Sequence, residues 1–329
     1  MTGPKHTAIV HRMKAGNANH PKIRPAATVI LTRQQAGRLQ VYLLKRSRQS
    51  GFMAGYFVFP GGTVDSQDRH FDLFSNHCDL TSREISTRFG SELSEEQALA
   101  YCVAAIRETF EEAGVGLFQR NNPPAADLER IKRLRFSTGL EKNWLLKFVA
   151  ADSCRLTLSA LSGWSHWITP ELMKRRFDTR FFMAAMPSNQ FCRPDQSETV
   201  QGVWLSPGEA LAGNMTGEIP LSPPTLVTLH ELLRYTIANN LQTENHRRPW
   251  GRTRLPRLVP LPQGAVIVQP WDPMYNQEEI KIDPKSLPGK VLPVGESFSR
   301  IWCDNGIWKP IGLKNHINFQ AGHARLSSD

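Results

Sequence analysis

Acidic residues are absent from the first 64 positions of the chain. Ten Lys or Arg occur there, so the 40 basic residues of the whole sequence leave 30 after position 64, against all 30 acidic ones. The net charge of +10 therefore lies entirely in this N-terminal part. Such a charge can bind nucleic acid, attract a polyanionic substrate or keep the protein soluble. Because no aromatic side chain precedes Tyr42 to stack on a base, nucleic acid is the less favoured partner.

Other absences narrow the class of protein. No run of about 18 uninterrupted apolar residues occurs, and the N-terminus lacks the apolar stretch of a secretory signal, so we expect no membrane partner. Five scattered cysteines without a C-x-x-C pair indicate reduced thiols and a cytoplasmic protein. The sequence also lacks H-x-H, H-E-x-x-H, G-x-S-x-G and Walker motifs, which argues against zinc hydrolases, serine hydrolases and kinases.

The periodicity of apolar residues divides the chain into three parts. We predict a basic flexible arm at 1–23, an α/β domain at 24–245 and a small β-rich C-terminal extension at 246–329, where prolines punctuate short β-like runs. A segment at about 66–93 has no period and is interpreted as an insertion. The predicted strands are 26–32, 39–45, 55–62, 164–169, 179–186 and 198–206. The predicted helices are 94–113, 128–149, 206–213 and 222–239.

The helix at 94–113 has the clearest boundaries. Ser94 and Gln97 form the pattern of a capping box, and Gly114 supplies the C-terminal stop. Near its end the sequence RETFEEAGV places three glutamates, Glu108, Glu111 and Glu112, within one arc of the helix surface. Their mutual repulsion, next to the negative end of the helix dipole, calls for a compensating charge.

Two explanations of this acidic cluster remain open from the residues alone. The first is a solvated acidic face, which is common on surface helices. The second is a divalent cation, because Arg107 alone cannot neutralise three anions and carboxylate oxygens suit Mg²⁺ or Mn²⁺.

The residues PGGTVD at a strand end, followed by RETFEEAGV on a helix, resemble the signature of the Nudix hydrolases. That pattern is G-x5-E-x7-R-E-U-x-E-E-x-G-U, where U is a bulky apolar residue. Gly62 matches its first glycine, Asp68 stands at the position of its first glutamate, and residues 69–106 replace a seven-residue spacer. Thr109 occupies one of the apolar positions. The resemblance implies an α/β/α sandwich with a mixed β-sheet.

The resemblance also implies roles for individual residues. Glu108 and Glu112 are expected to bind Mg²⁺ or Mn²⁺, together with the Gly62 carbonyl. Glu111 is expected to be a third ligand or to act on a metal-bound water, and Arg107 to orient a glutamate.

Residues outside the signature complete the predicted site. We predict Glu198 as the general base, although a glutamate before a strand is often ordinary surface. Arg175, Arg176 and Arg180 could contact substrate phosphates, since guanidinium groups bind phosphate well, and pairing with Asp178 to fix a turn is an equally open explanation. We assign substrate binding to Arg46, Arg176 and Arg180.

The segment LLKRS…FMAGYFVFPGG is similar to the subgroup of the family that acts on coenzyme A, with Gly51 where that pattern has an arginine. WITPELMKRRFDTRFFMAAMP and ETVQGVWLSPGEAL resemble relatives with a split signature. The implied function is metal-dependent hydrolysis of a nucleoside diphosphate derivative, with coenzyme A or acyl-CoA the leading substrate. ADP-ribose, NADH and capped RNA remain alternative substrates. A non-catalytic nucleotide- or nucleic-acid-binding sensor remains an alternative function, and the protein could form a homodimer.

Overall fold

The computed structural model describes residues 21–90, 92–119, 133, 135, 140–151, 154–236, 241 and 250–313, and the backbone of residues 8–11. A mixed sheet of seven strands forms its centre, in the order β10-β3-β2-β9-β8, with β4 paired to β3 and β5 paired to β2. The strands of this sheet are β2 (Ile23–Gln35), β3 (Arg38–Arg46), β4 (Phe57–Val58), β5 (Gly61–Thr63), β8 (Ser162–Ile168), β9 (Arg176–Ala185) and β10 (Thr199–Leu205). β2 and β9 are parallel and the other pairs are antiparallel.

Helices cover both faces of this sheet. The helices are α1 (Phe71–Asn76), α2 (Ser82–Ile85), α3 (Glu95–Ala113), α4 (Trp144–Ala150), α5 (Pro207–Thr216) and α6 (Pro223–Leu232). Successive side chains of β2 point to opposite faces of the sheet. Val29 and Leu31 pack in the hydrophobic cluster around α3, whereas Ile30 packs in the cluster that includes α5 and α6. The predicted α/β/α sandwich with a mixed sheet is confirmed.

Local sequence signals explain the elements that frame the site. Ala36 and Gly37 both have positive φ, 49° and 74°, which suits the tight hairpin between β2 and β3. Ser94 Oγ accepts a hydrogen bond from Gln97 N, Gln97 Oε1 accepts one from Ser94 N, and Gly114 ends α3 with φ 74°. The predicted capping box and stop of this helix are therefore observed.

The segment predicted as an insertion packs on α3. It contains a 3-10 turn (Ser66–Arg69), α1, α2 and a π turn (Ser86–Gly90). Phe74, Ile85 and Phe89 are almost fully buried in the same cluster as the apolar face of α3. The ring centroids of Phe89 and of Phe182 in β9 lie 5.8 Å apart. The insertion is thus a covering layer of the domain.

The C-terminal residues form a four-stranded antiparallel sheet. Its strands are β11 (Arg257–Pro260), β12 (Ala265–Val268), β14 (Arg300–Asp304) and β15 (Ile307–Ile311), in the order β11-β12-β14-β15. Ile267, Ile301 and Trp308 are buried in the cluster that includes α5 and α6. Asn214 Nδ2 of α5 donates to the Trp308 carbonyl at 2.8 Å. The extension therefore shares a core with the sandwich.

The structure corrects several predicted boundaries. Residues Ala8–His11 (β1), which the sequence analysis placed in the flexible arm, pair with Glu279–Ile282 (β13); no periodicity indicated this strand. The rest of the arm lies outside the described residues, apart from those from position 21 on. A helix over 222–239 is too long, because α6 ends at Leu232 and the chain then turns so that Thr236 O accepts from Leu39 N.

Ten of the 22 residues of the predicted helix at 128–149 fall outside the described residues. Its C-terminal part is a separate helix, α4, because residues 142–143 form a turn before Trp144. Two short strands, β6 (Phe118–Gln119) and β7 (Arg155–Leu156), pair beside it. None of the helices in the described ranges is both long and apolar enough to cross a membrane.

Candidate active site

Two glycines let the end of α3 approach the edge of the sheet. Gly61 and Gly62 open β5, which pairs with Ala27 and Thr28 of β2. A Cβ atom at Gly61 would collide with the Ala27 carbonyl oxygen, and one at Gly62 would collide with the carboxylate of Glu108. Only glycine therefore permits this contact between the strand and the helix.

Arg107 organises the acidic residues around itself. Its Nε and Nη2 donate to the two oxygens of Asp68 at 2.8 and 2.9 Å, and Nη1 donates to Glu108 and Glu111, both at 2.8 Å. A further bond from Nη2 reaches the Thr63 carbonyl at 2.8 Å, so all five N–H donors are used. Burial opposes the charge of Arg107, but the surrounding carboxylates raise its pKa. The guanidinium is thus permanently charged and fixed.

Asp68 occupies the position that the signature gives to its first glutamate. It is 1% exposed and makes a bidentate pair with Arg107, although residues 69–106 separate the two. The structure therefore brings the interrupted parts of the signature back together.

Both carboxylate oxygens of Glu111 already accept hydrogen bonds. Oε2 accepts from Arg107, and Oε1 accepts from Nε1 of Trp144 in α4 at 2.6 Å. This arrangement holds Glu111 in one orientation, with further lone pairs left on both oxygens.

Glu108 and Glu112 are less well compensated. Glu112 is 4% exposed, and the hydrogen bond described for it comes from Gly61 N to Oε2 at 2.9 Å. Burial, followed by the nearby charge of Glu108, raises the pKa of Glu112 well above its usual value. Burial also raises the pKa of Glu108 to about 8, against the opposing effect of Arg107. Two buried carboxylates thus face the same glycine turn with too little positive charge.

The donor set fits a hard divalent cation. Mg²⁺ typically takes one or two protein carboxylates, and substrate phosphates and water complete its shell. Glu108, Glu112 and the Gly62 carbonyl provide oxygen ligands of this kind. Within the described residues, no group of three or more His, Cys, Asp or Glu side chains is gathered as a preformed cage.

A cleft of about 520 Å³ opens over this acidic cluster. Glu108, Glu111, Arg107 and Gly62 line it, and so do two other predicted site residues, Glu198 and Arg46. The Glu198 carbonyl is held by Ser47 N at 2.8 Å, next to Arg46 in sequence. Arg46 Nε donates to the Phe52 carbonyl at 3.1 Å. The charges of both Arg46 and Glu198 act on Glu112, the first lowering and the second raising its pKa.

The structure places Arg176 and Arg180 away from the cleft. Along β9 the side chains of Phe177, Thr179 and Phe181 line the cleft, so the alternate positions 176 and 180 face the opposite side of the sheet. The Arg180 guanidinium lies 5.9 Å from the Tyr101 ring and 5.5 Å from the Trp250 ring.

Arg176 also makes its contacts on that opposite side of the sheet. Arg176 Nε donates to the Thr169 carbonyl at 3.2 Å. Asp178 Oδ1 lies 2.6 Å from Nε2 of His166. Arg176 and Arg180 thus lie outside the lining of this cleft, and their binding of substrate phosphates stays a prediction.

Arg175, the first of the three arginines considered from the sequence, does line the cleft. Its guanidinium lies against Gly51, where a Cβ atom would collide with Nη1, and both residues line the cleft. A cation from the start of β9 thus fills the space next to the position at which the coenzyme A pattern has an arginine. The period of two along the strand that follows would have singled out Arg175 among its neighbours.

Comparison with known proteins identifies the family. The family model described as the NUDT19 Nudix domain matches residues 15–232. Acyl-coenzyme A diphosphatase NUDT19 of Xenopus laevis is 28% identical over 82% of this chain and 80% of its own length. The Homo sapiens protein of that name is 30% identical over 80% of each chain. A NUDIX hydrolase structure from Alicyclobacillus acidocaldarius shares the fold, with TM-score 0.53, 24% identity and coverage of 68% of this chain and 96% of that one. The chain therefore belongs to the Nudix hydrolases, in the family of the NUDT19 Nudix domain.

Proposed function

We propose that this protein hydrolyses the diphosphate linkage of coenzyme A and acyl-CoA, using Mg²⁺ or Mn²⁺. The observation that carries the proposal is the pair of buried, undercompensated carboxylates, Glu108 and Glu112, next to the glycine turn at one wall of the cleft. The relatives named acyl-coenzyme A diphosphatase support the substrate class.

In this proposal the residues divide the work as follows. Glu108, Glu112 and the Gly62 carbonyl would hold the cation, which would supply positive charge to the diphosphate and lower the pKa of a bound water. Glu111 and Arg107 are positioning residues, because their hydrogen bonds fix the end of α3. Arg46 and Arg175 bind phosphate oxygens in the cleft.

Glu198 is the proposed general base. Its carboxylate accepts a proton from the attacking water, whose oxygen forms a bond to phosphorus. The bond from that phosphorus to the bridging oxygen breaks, and the bridging oxygen leaves on the second phosphate. For coenzyme A the products are adenosine 3′,5′-bisphosphate and phosphopantetheine, or its acyl derivative.

Turnover by the purified protein tests this function. We expect both products from CoA and acyl-CoA with Mg²⁺ or Mn²⁺, detected by chromatography, and none with a chelator. Glu112→Gln keeps the shape of the side chain and removes its charge, so kcat should fall by at least about 100-fold. Loss of a residue that only hydrogen-bonds to a metal ligand costs up to about 100-fold, and loss of a ligand itself should cost no less. Glu96→Gln, an exposed position at the start of the same helix, is the matched control and should retain activity.

Two results would contradict the proposal. One is a folded wild-type protein that releases neither product with either cation. The other is full turnover by Glu112→Gln. ADP-ribose, NADH and capped RNA belong in the same panel, because cleavage of one of these alone would replace the substrate and keep the reaction.

Three finer points also belong to the proposal. The assignment of Mg²⁺ or Mn²⁺ rests on the oxygen-only donor set, which suits both cations. A cytoplasmic location rests on the five free cysteines. The homodimer considered from the sequence stays a prediction, which sedimentation of the purified protein tests.

A further inference from the structure

The lining of the cleft falls into two chemical groups. The polar group contains Glu108 and Glu111 of the acidic cluster, with Arg46 and Arg175. The second group is apolar, and we call it the apolar wall. Its residues are Phe59, Trp167, Met173, Phe177, Phe181, Pro256, Leu258, Ile267 and Trp308.

The C-terminal extension supplies part of the apolar wall. Pro256 immediately precedes β11, and Leu258 lies in that strand. Ile267 lies in β12, and Trp308 lies in β15. Leu258 is partly exposed, whereas Ile267 and Trp308 are 6% and 8% exposed. Residues from three strands of one sheet thus reach the cleft that contains the acidic cluster.

Contacts with the Nudix domain fix the extension in place. The Trp308 carbonyl accepts from Asn214 Nδ2, and the Gly306 carbonyl accepts from Tyr56 Oη at 2.6 Å. Arg254 pairs with Glu231 of α6 at 2.7 Å, and its backbone bonds to β8. The apolar wall is therefore a rigid surface of the folded protein.

We propose that the apolar wall binds the acyl chain of the substrate, so that the C-terminal extension determines the preference for acylated over free coenzyme A. This inference rests on the proposed function. The adenosine half of such a substrate carries charged phosphates, which suit Arg46 and Arg175. The acyl chain is its apolar part, and burying each methylene group against apolar side chains favours binding. Because both groups line one cleft, a single substrate can contact both.

The dependence of turnover on acyl chain length tests the proposal in the unmodified protein. The kcat/KM for acetyl-, butyryl-, hexanoyl- and octanoyl-CoA is measured with Mg²⁺ and compared with that for free CoA. We expect a rise of about tenfold or more from acetyl to octanoyl, which needs only a fraction of the effect of burying every added methylene. A kcat/KM that does not change with chain length would overturn the proposal.

Leu258→Asn locates the effect in the extension. It places an amide on the apolar wall, so kcat/KM for octanoyl-CoA should fall about tenfold while that for free CoA stays within about twofold. Val294→Asn makes the same change at an exposed residue of the extension that does not line the cleft, and it should leave both substrates unaffected. Thermal unfolding of both variants establishes that they are folded.

The outcomes separate this inference from the proposed function. If Leu258→Asn slows both substrates equally, or if Val294→Asn has the same effect, the extension does not select the acyl chain. The function itself stands in that case, because the wild-type protein still cleaves CoA. If the wild-type protein cleaves neither CoA nor acyl-CoA, the function and this inference both fail.

Discussion

A missing side chain at position 51 makes room for a cation from another part of the chain. The guanidinium of Arg175 lies against Gly51 in the cleft and is exposed. Guanidinium groups bind phosphate oxygens through two parallel hydrogen bonds. We therefore expect Arg175 to contribute directly to substrate binding.

Replacement of Arg175 by Ala should raise the KM for CoA about tenfold, which corresponds to the loss of one charge-assisted hydrogen bond. The kcat should change less than KM, because Arg175 lies outside the acidic cluster. Steady-state kinetics measure both constants. Lys174→Ala removes a neighbouring exposed cation that does not line the cleft and is the matched control. If the two variants have equal effects, Arg175 contributes only net charge and does not bind the substrate directly.

The spacing of residues predicted the acidic residues of the site better than its arginines. Three glutamates within one helical arc had to lie close together, and the structure places them at the glycine turn. The arginines lie on a strand, where one position separates the two faces of a sheet. The sequence therefore could not show that Arg175 lines the cleft whereas Arg176 and Arg180 lie on the opposite side of the sheet.

At the scale of elements, the insertion delivers one residue to the site and otherwise covers α3. Asp68 stands at its beginning, before α1, and pairs with Arg107 on the helix that follows. Both side chains are almost fully buried, and removing one partner from such a pair leaves an uncompensated charge. The pair thus joins the strand end, the insertion and the helix.

Asp68→Asn should lower the free energy of unfolding by about 3 kcal/mol, the lower end for a broken buried pair, because Glu108 and Glu111 still contact Arg107. Denaturant unfolding followed by circular dichroism measures this change. Asp72→Asn, on the exposed side of α1, should cost less than about 1 kcal/mol. A loss for Asp68→Asn no larger than that of the control would show that the pair does not stabilise the fold.

The period of apolar residues with the caps of α3 could predict that helix, and the continuous apolar runs of strands buried on both faces could predict most of the central sheet. The insertion has no such period, since its apolar residues, among them Phe74 and Phe89, lie on short helices of few turns. Nothing local in the sequence could indicate that these residues pack on α3 and β9. The pairing of Asp68 with Arg107 across residues 69–106 is likewise a tertiary fact.

At the scale of the whole molecule, the sequence boundary at about 245 separates the chain more sharply than the structure does. Proline spacing correctly predicted a β-rich extension. Its packing against the sandwich could not be predicted, because Ile267, Ile301 and Trp308 find their partners in distant segments. Deleting the extension would expose that shared core, so point variants are the sharper probe of its role.

The central claim concerns the whole site: a divalent cation held by Glu108 and Glu112 at the glycine turn. Anomalous diffraction from crystals soaked in Mn²⁺ tests it most directly, because the signal locates the metal without reference to turnover. We predict a peak in contact with the carboxylates of Glu108 and Glu112 and the carbonyl of Gly62, and its loss in Glu112→Gln. A map without a peak at this turn, from crystals of a protein that hydrolyses CoA with Mn²⁺, would contradict the account.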